Sequence, residues 1–301
     1  MAAAQETSIR PELERMVAEI DELPSIPETL IEVLRVIDDP DSGASDLAGV
    51  VRLDAPLSAK ILRLANSPFY STRSDISDVV RSISVLGYET TRNVAISLTV
   101  ATSVVSAVAR AGGRLDYREL WRHSVTTGAM AKELARLGGN PDPEEIFAGG
   151  LLHDLGKFIL ELYAPEAYDQ VVHQRQRSRR QLKALEHEAF GFDHVEVGAA
   201  FATSWRFPEL LVACIGGHHE QRRPATSATT RLDKAAAMVA LADYLANMVE
   251  PPASDLGADP RLLNAEALHA AAGLSQEQVA AHRDGLSEAV EKATVFLSMA
   301  T

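Results

Sequence analysis

Five histidines between positions 123 and 219 sit where an imidazole can serve as a metal ligand: His123, His153, His194 and the adjacent pair His218 and His219. Any one of them alone reads as a hydrogen-bonded core residue, but their acidic companions change that. Glu119 and His123 are four residues apart in LDYRELWRHSVTT. They share a helix face and can point at one ion. His153 and Asp154 fall within GGLLHDLGKFIL, an apolar stretch expected to be helical, where a carboxylate is costly to bury unless a cation compensates it. Asp154 can also bridge two ions, one per oxygen. Lys157, three residues on, faces the same way; it either pairs with Asp154 or holds a phosphate oxygen. His194 opens HVEVGAAFATSW, and His218-His219-Glu220 ends the apolar run LLVACIGG. Asp243 is a lone carboxylate in MVALADYLA, so it either joins the same cation or caps a helix or pairs with an arginine. Glu188, six residues before His194, can orient an imidazole from behind. His173, His187, His269 and His282 are expected at the surface, with no ligand role. An imidazole-rich set with few carboxylates favours Fe or Mn, is compatible with Zn or Ni, and argues against an all-oxygen Mg site.

Helices must bring these positions together. Strand signals are nearly absent, and helical periodicity recurs between Pro, Gly and Asp clusters. In ETLIEVLRVI, Leu30, Ile31, Leu34 and Ile37 share a face. Ser45 and Asp46 can cap the next helix, and Pro56 opens another that stops at Asn66-Ser67-Pro68. The pattern continues over 76–86 and 90–108 until Ala111-Gly112-Gly113. A second helical block covers about 116–249, interrupted at 138–143 and at the polar stretch 221–230. Residues 250–260 read as a linker, and Ser275 with Gln278 forms a capping box for a helix carrying Val279, Leu286, Val290 and Leu297.

The expected fold class is therefore all-α. A helical subdomain at 20–112 follows an N-terminal extension (1–19) and packs on a histidine-bearing helical domain at 113–250. The linker and C-terminal helices of 251–301 pack back onto them.

With 46% hydrophobic and 5% aromatic residues, the core is mostly Ala, Leu, Val and Ile, which suits close helix packing. A net charge of -13 repels nucleic-acid phosphates and argues against non-specific binding to them. The N-terminal stretch lacks an apolar core of signal-peptide type, and no run approaches the roughly 18 apolar residues of a membrane span. Cys214 is the only cysteine, which excludes an internal disulfide and fits a reducing cytoplasm. Within this acidic chain, VVHQRQRSRRQLK (171–183) is a basic island. It is either a solvated helix face or a contact patch for an acidic partner or phosphorylated ligand.

The order of His123, His153-Asp154 and Asp243 resembles the HD superfamily of metal-dependent phosphohydrolases. LPSIPETLIEVL, VVRLDAPLSAKILRLANSPFY, ISDVVRSISVLGYETTRNVAISL and FGFDHVEVGAAFATSWRFPELL narrow the resemblance, over roughly residues 20–220, to the HDOD (HD-related output) domain of bacterial signalling. Many HDOD domains lack the HD ligands. Here, by resemblance to the two-metal HD-GYP phosphodiesterases, His123, His153, Asp154, His194, His218, His219 and Asp243 fall at ligand positions. Glu119 matches an extra carboxylate ligand, and Lys157 matches a phosphate-contacting lysine. No Gly-Tyr-Pro motif follows His219-Glu220, so the loop that recognises cyclic-di-GMP in those relatives has no counterpart. The resemblance implies a cytoplasmic regulatory module with a two-ion centre and a signalling protein or phosphorylated small ligand as partner. The alternatives are a phosphohydrolase in which Asp154 and Lys157 are catalytic, and a metal-free helical scaffold.

Overall fold

The structure, a computed structural model, describes residues 26–70, 76–140, 142–178, 180–219, 230–249 and 264–299, together with Leu13 and Met16. The expected linker at 250–260, most of the polar stretch 221–230, most of the N-terminal extension, Arg179 and Glu220 lie outside the described residues. Among the described residues every regular element is helical.

The first helices are α1 (Glu28–Asp38), α2 (Ala44–Leu53), α3 (Ala55–Ala65), α4 (Val79–Leu86) and α5 (Tyr88–Arg110). Short polar side chains start several of them. Asp54 accepts from the Leu57 amide at 2.8 Å, with Pro56 in the first turn of α3. Asp78 accepts from the Arg81 amide at 3.0 Å to open α4. Two sequence readings are corrected. The cap of α2 is Gly43, not Ser45; Asp46 reaches back to the Gly43 amide at 2.9 Å. On α1 the buried stripe is Leu30, Val33, Leu34 and Val36, and Ile31 is exposed. By length and composition α5 could cross a membrane, but 67% of its most apolar stretch is buried inside the protein, where its apolar surface is satisfied.

The remaining helices are α6 (Tyr117–Leu137), α7 (Pro143–Leu152), α8 (Leu155–Tyr163), α9 (Pro165–Ser178), α10 (Leu182–Phe190), α11 (His194–Ser204), α12 (Glu209–Gly217), α13 (Arg231–Val249), α14 (Ala265–Ala272), α15 (Gln276–Ala281) and α16 (Arg283–Ala293). A 3-10 turn, Thr294–Ser298, follows. Helix α6 packs on α7, α13 and α16, α8 packs on α11, and α12 packs on α7, α11 and α13. The larger apolar core runs from Leu13 to Met299 and crosses residue 112 without a break. A second core joins α6, α7, α12 and α13 to the C-terminal helices.

The C-terminal stripe is core packing, delivered by two helices and a 3-10 turn where one helix was expected. The Ser275–Gln278 capping box forms as read. Trp121 donates to the Phe296 carbonyl at 3.0 Å, and the buried Phe296 ring sits 5.4 Å from Phe69 and 4.9 Å from Phe147. This segment therefore ties the N-terminal half to α6 and α7, and its loss is expected to open the core rather than trim the surface.

Cys214 is buried against Gly149, and burial lifts its thiol pKa far above the usual range. The native protein is expected to resist alkylation at pH 8.5 and to react fully in urea. The unfolded chain releases the thiol proton near pH 9, where the fold retains it. This buried thiol therefore removes stability as pH rises above 9, at about 1.4 kcal/mol per unit. Rapid labelling of native protein would refute this.

Candidate metal centre

Helix ends supply most of the centre. His153 and Asp154 are not inside one apolar helix, as the sequence suggested. They form the bend between α7 and α8, with His153 capping one and Asp154 opening the other. His194 is the first residue of α11, and His218 caps the C-terminus of α12. His123 projects from α6 and Asp243 from α13.

Glycines let these helices approach. A β-carbon at Gly156 would lie 1.8 Å from the His194 carbonyl oxygen, and one at Gly150 would lie 2.6 Å from Gly128 Cα. Backbone therefore meets backbone at both crossings, which sets Asp154 beside His194 and His153 beside α6.

Two sets of donor atoms converge, each within 4.8 Å: Asp154 with His194, His218 and His219, and Asp154 with His123 and His153. Asp154 belongs to both. Its Oδ1 lies 3.7 Å from His218 Nε2 and 3.8 Å from His194 Nε2. Its Oδ2 lies 3.2 Å from His153 Nε2 and accepts from Lys157 at 2.6 Å. Asp243 joins on the second side, with Oδ1 3.0 Å from His123 Nε2 and 3.8 Å from His153 Nε2. Asn247, one turn along α13, donates to that same oxygen at 2.7 Å. Glu119 is half-buried and belongs to neither set.

The outward ring nitrogens fix the inward ones. His153 Nδ1 lies 2.7 Å from the Gly150 carbonyl, and His218 Nδ1 lies 2.8 Å from that of Ile215. A carbonyl only accepts, so Nδ1 carries a proton, and a ring that is neutral turns a lone pair inward at Nε2. His194 Nδ1 lies 2.5 Å from Glu186. The Nε2 atoms of His123, His153, His194 and His218, with Asp154 Oδ1, are buried and have no hydrogen-bond partner. Buried polar atoms are almost always satisfied. Five orphans at one point fit a cation, and these residues therefore fit a divalent metal.

The electrostatics agree. Burial alone would raise the Asp154 carboxyl, but the adjacent His153 ring and the Lys157 ammonium hold it well below the usual carboxylate range. Burial is likewise outweighed at Asp243, where His123 and His153 keep the carboxyl low. Burial pushes the His218 imidazole down to about 4, so it is neutral and ready to ligate at pH 7.

The sequence missed the residue behind His194. Glu188 is exposed and binds Arg180, with one contact of 3.0 Å, whereas Glu186 is fully buried and meets the imidazole. Two positions apart on a helix, these side chains face different ways. Leu182, Leu185 and Glu186 form the buried stripe of α10, and a carboxylate on an apolar stripe was the available signal. Two surface histidines are also corrected. His269 is buried beside the Leu274 carbonyl, and His282 is half-buried against Glu133 at 2.7 Å. Within the basic island, Arg180 binds Glu188, Lys183 lies 3.2 Å from Asp193, and Arg175 is buried.

Residues 23–221 match the HDOD domain family, and the chain belongs to it. An HDOD domain protein of unknown function from Geobacter sulfurreducens superposes with a TM-score of 0.75 at 25% identity, over 96% of this chain and 97% of that one. A candidate phosphohydrolase from Shewanella amazonensis superposes at 0.71 with 24% identity, over 95% and 98%, a likeness of fold. An uncharacterized protein of Treponema pallidum (strain Nichols) is 26% identical over 201 residues, 66% of this chain; the match spans only 38% of that relative's length.

Proposed function

We propose that this HDOD protein is a signalling module whose buried histidine–aspartate centre binds two divalent ions and has little or no catalytic turnover. The reading rests on the cluster of orphaned Nε2 atoms around Asp154. His194, His218 and His219 with Asp154 would hold one ion, and His123, His153 and Asp243 with Asp154 the other. Fe or Mn is favoured by the imidazole-rich set, with Zn and Ni compatible. Such ions, when bound, supply charge neutralisation and Lewis-acid chemistry. Deep burial and the turn of Lys157 toward Asp154 support retention over turnover. Asp154 is 1% exposed, and the Lys157 ammonium lies on Asp154 Oδ2, not held out toward a substrate phosphate. A signalling partner would then respond to helix positions that the ions fix.

The second reading, a phosphohydrolase acting on a nucleotide or phosphodiester, is favoured by the sharing of Asp154 between two donor sets. In it Lys157 leaves Asp154 to hold a phosphate oxygen.

Protein purified without chelator is to be measured for metal content. It is then assayed on bis-p-nitrophenyl phosphate and cyclic dinucleotides beside Asp154→Ala. Retained transition metal with no turnover is the expected result. Turnover that disappears in the variant would establish the hydrolase, and absence of transition metal would remove both readings.

A further inference from the structure

We infer that Glu186, braced by Tyr168, is the positioning residue that sets how tightly the His194 side of the centre holds its ion. The inference rests on the proposed metal centre. His153 and His218 each find an outward acceptor in a carbonyl three residues back, within their own helices. His194 cannot, because it begins α11 and no helical turn precedes it. Its acceptor must come from another element.

Glu186 on α10 supplies it. One oxygen, Oε2, accepts from the His194 backbone amide at 3.0 Å and lies 2.5 Å from the ring Nδ1. The other, Oε1, accepts from the Tyr168 hydroxyl at 2.8 Å. Both Glu186 and Tyr168 are 0% exposed. Among the described residues, the His194 ring is the one basic group within ion-pair distance of Glu186.

Two consequences follow from this geometry. A carboxylate behind an imidazole holds its tautomer and makes it a stronger donor than a carbonyl does. The N-terminal end of α11 also carries the positive pole of the helix, which opposes a cation at His194, and Glu186 offsets that pole. Tyr168 fixes the carboxyl's orientation from α9, so the centre is coupled to the helix that leads into the basic island.

The test uses Co(II) alone, added to chelator-stripped full-length protein. It reads the dissociation constant by competition with a chromophoric chelator, the visible ligand-field spectrum of the bound ion, and the melting temperature of the metal-free protein. Glu186→Gln is expected to weaken Co(II) binding 10–100-fold and to alter the spectrum of the ion that remains bound. Tyr168→Phe, which keeps the ring in the core, is expected to weaken binding several-fold. A purely structural role would lower the melting temperature and leave the spectrum per bound ion unmoved. Wild-type protein that takes up no Co(II) refutes the metal centre itself. Wild-type binding matched within twofold by a folded Glu186→Gln refutes this inference and leaves the centre standing. Should Glu186→Gln not fold, unchanged affinity in Tyr168→Phe refutes it equally.

Discussion

Asp154→Ala is expected to abolish binding of both ions and to lower the stability of the metal-free protein by about 3–5 kcal/mol. Asp154 is the one residue common to both donor sets, so neither set survives its removal. The loss in the metal-free state has a separate origin. The Lys157 ammonium is 2% exposed and lies 2.6 Å from Asp154 Oδ2. Removing the carboxylate takes a hydrogen-bonded counter-charge from a buried ammonium, and breaking such a pair from one side costs far more than the pair contributes. The double variant Asp154→Ala with Lys157→Met is therefore expected to recover most of the stability and none of the metal. Urea denaturation in chelator and metal analysis of wild type, Asp154→Ala, Lys157→Met and the double variant form a double-mutant cycle. Additive losses would show that Lys157 and Asp154 do not depend on each other. Full metal retention in Asp154→Ala would remove that residue from the centre.

Gly156→Ala is expected to destabilise the protein by about 3 kcal/mol, at the upper end for overpacking, and to reduce metal retention with it. Within a helix the exchange normally stabilises, by about 1 kcal/mol. Here the sign reverses, because the new methyl would lie 1.8 Å from the His194 carbonyl oxygen and 2.9 Å from the Gly198 amide. Neither is the end of a movable side chain. Helices α8 and α11 must separate, and Asp154 moves from His194 as they do. Gly49→Ala on α2 is the control: a β-carbon there meets nothing within 4 Å, so a gain of about 1 kcal/mol is expected. Equal stabilities for the two variants, by chemical denaturation, would mean that the close crossing does not limit the fold.

Much of this protein is written in its local sequence. The helices, the Pro56 start, the Ser275 cap and the donor types follow from residue chemistry and periodicity over a few positions, which any short stretch carries by itself. So did membership of the HDOD family, through motifs spaced along residues 23–221. The tertiary structure decided the rest. It broke the apolar GGLLHDLGKFIL stretch at His153-Asp154, where α7 packs on α6 and α12 and α8 packs on α11. It chose Glu186 over Glu188 behind His194, left Glu119 outside both donor sets, and made Phe296 a joint between the two halves of the chain. Each of these depends on which nitrogen meets which oxygen, or which ring meets which ring, between separate helices, from 8 residues apart at Glu186 and His194 to 175 at Trp121 and Phe296. No local pattern specifies such a meeting. It exists only once the helices have packed and the glycines have let their backbones touch.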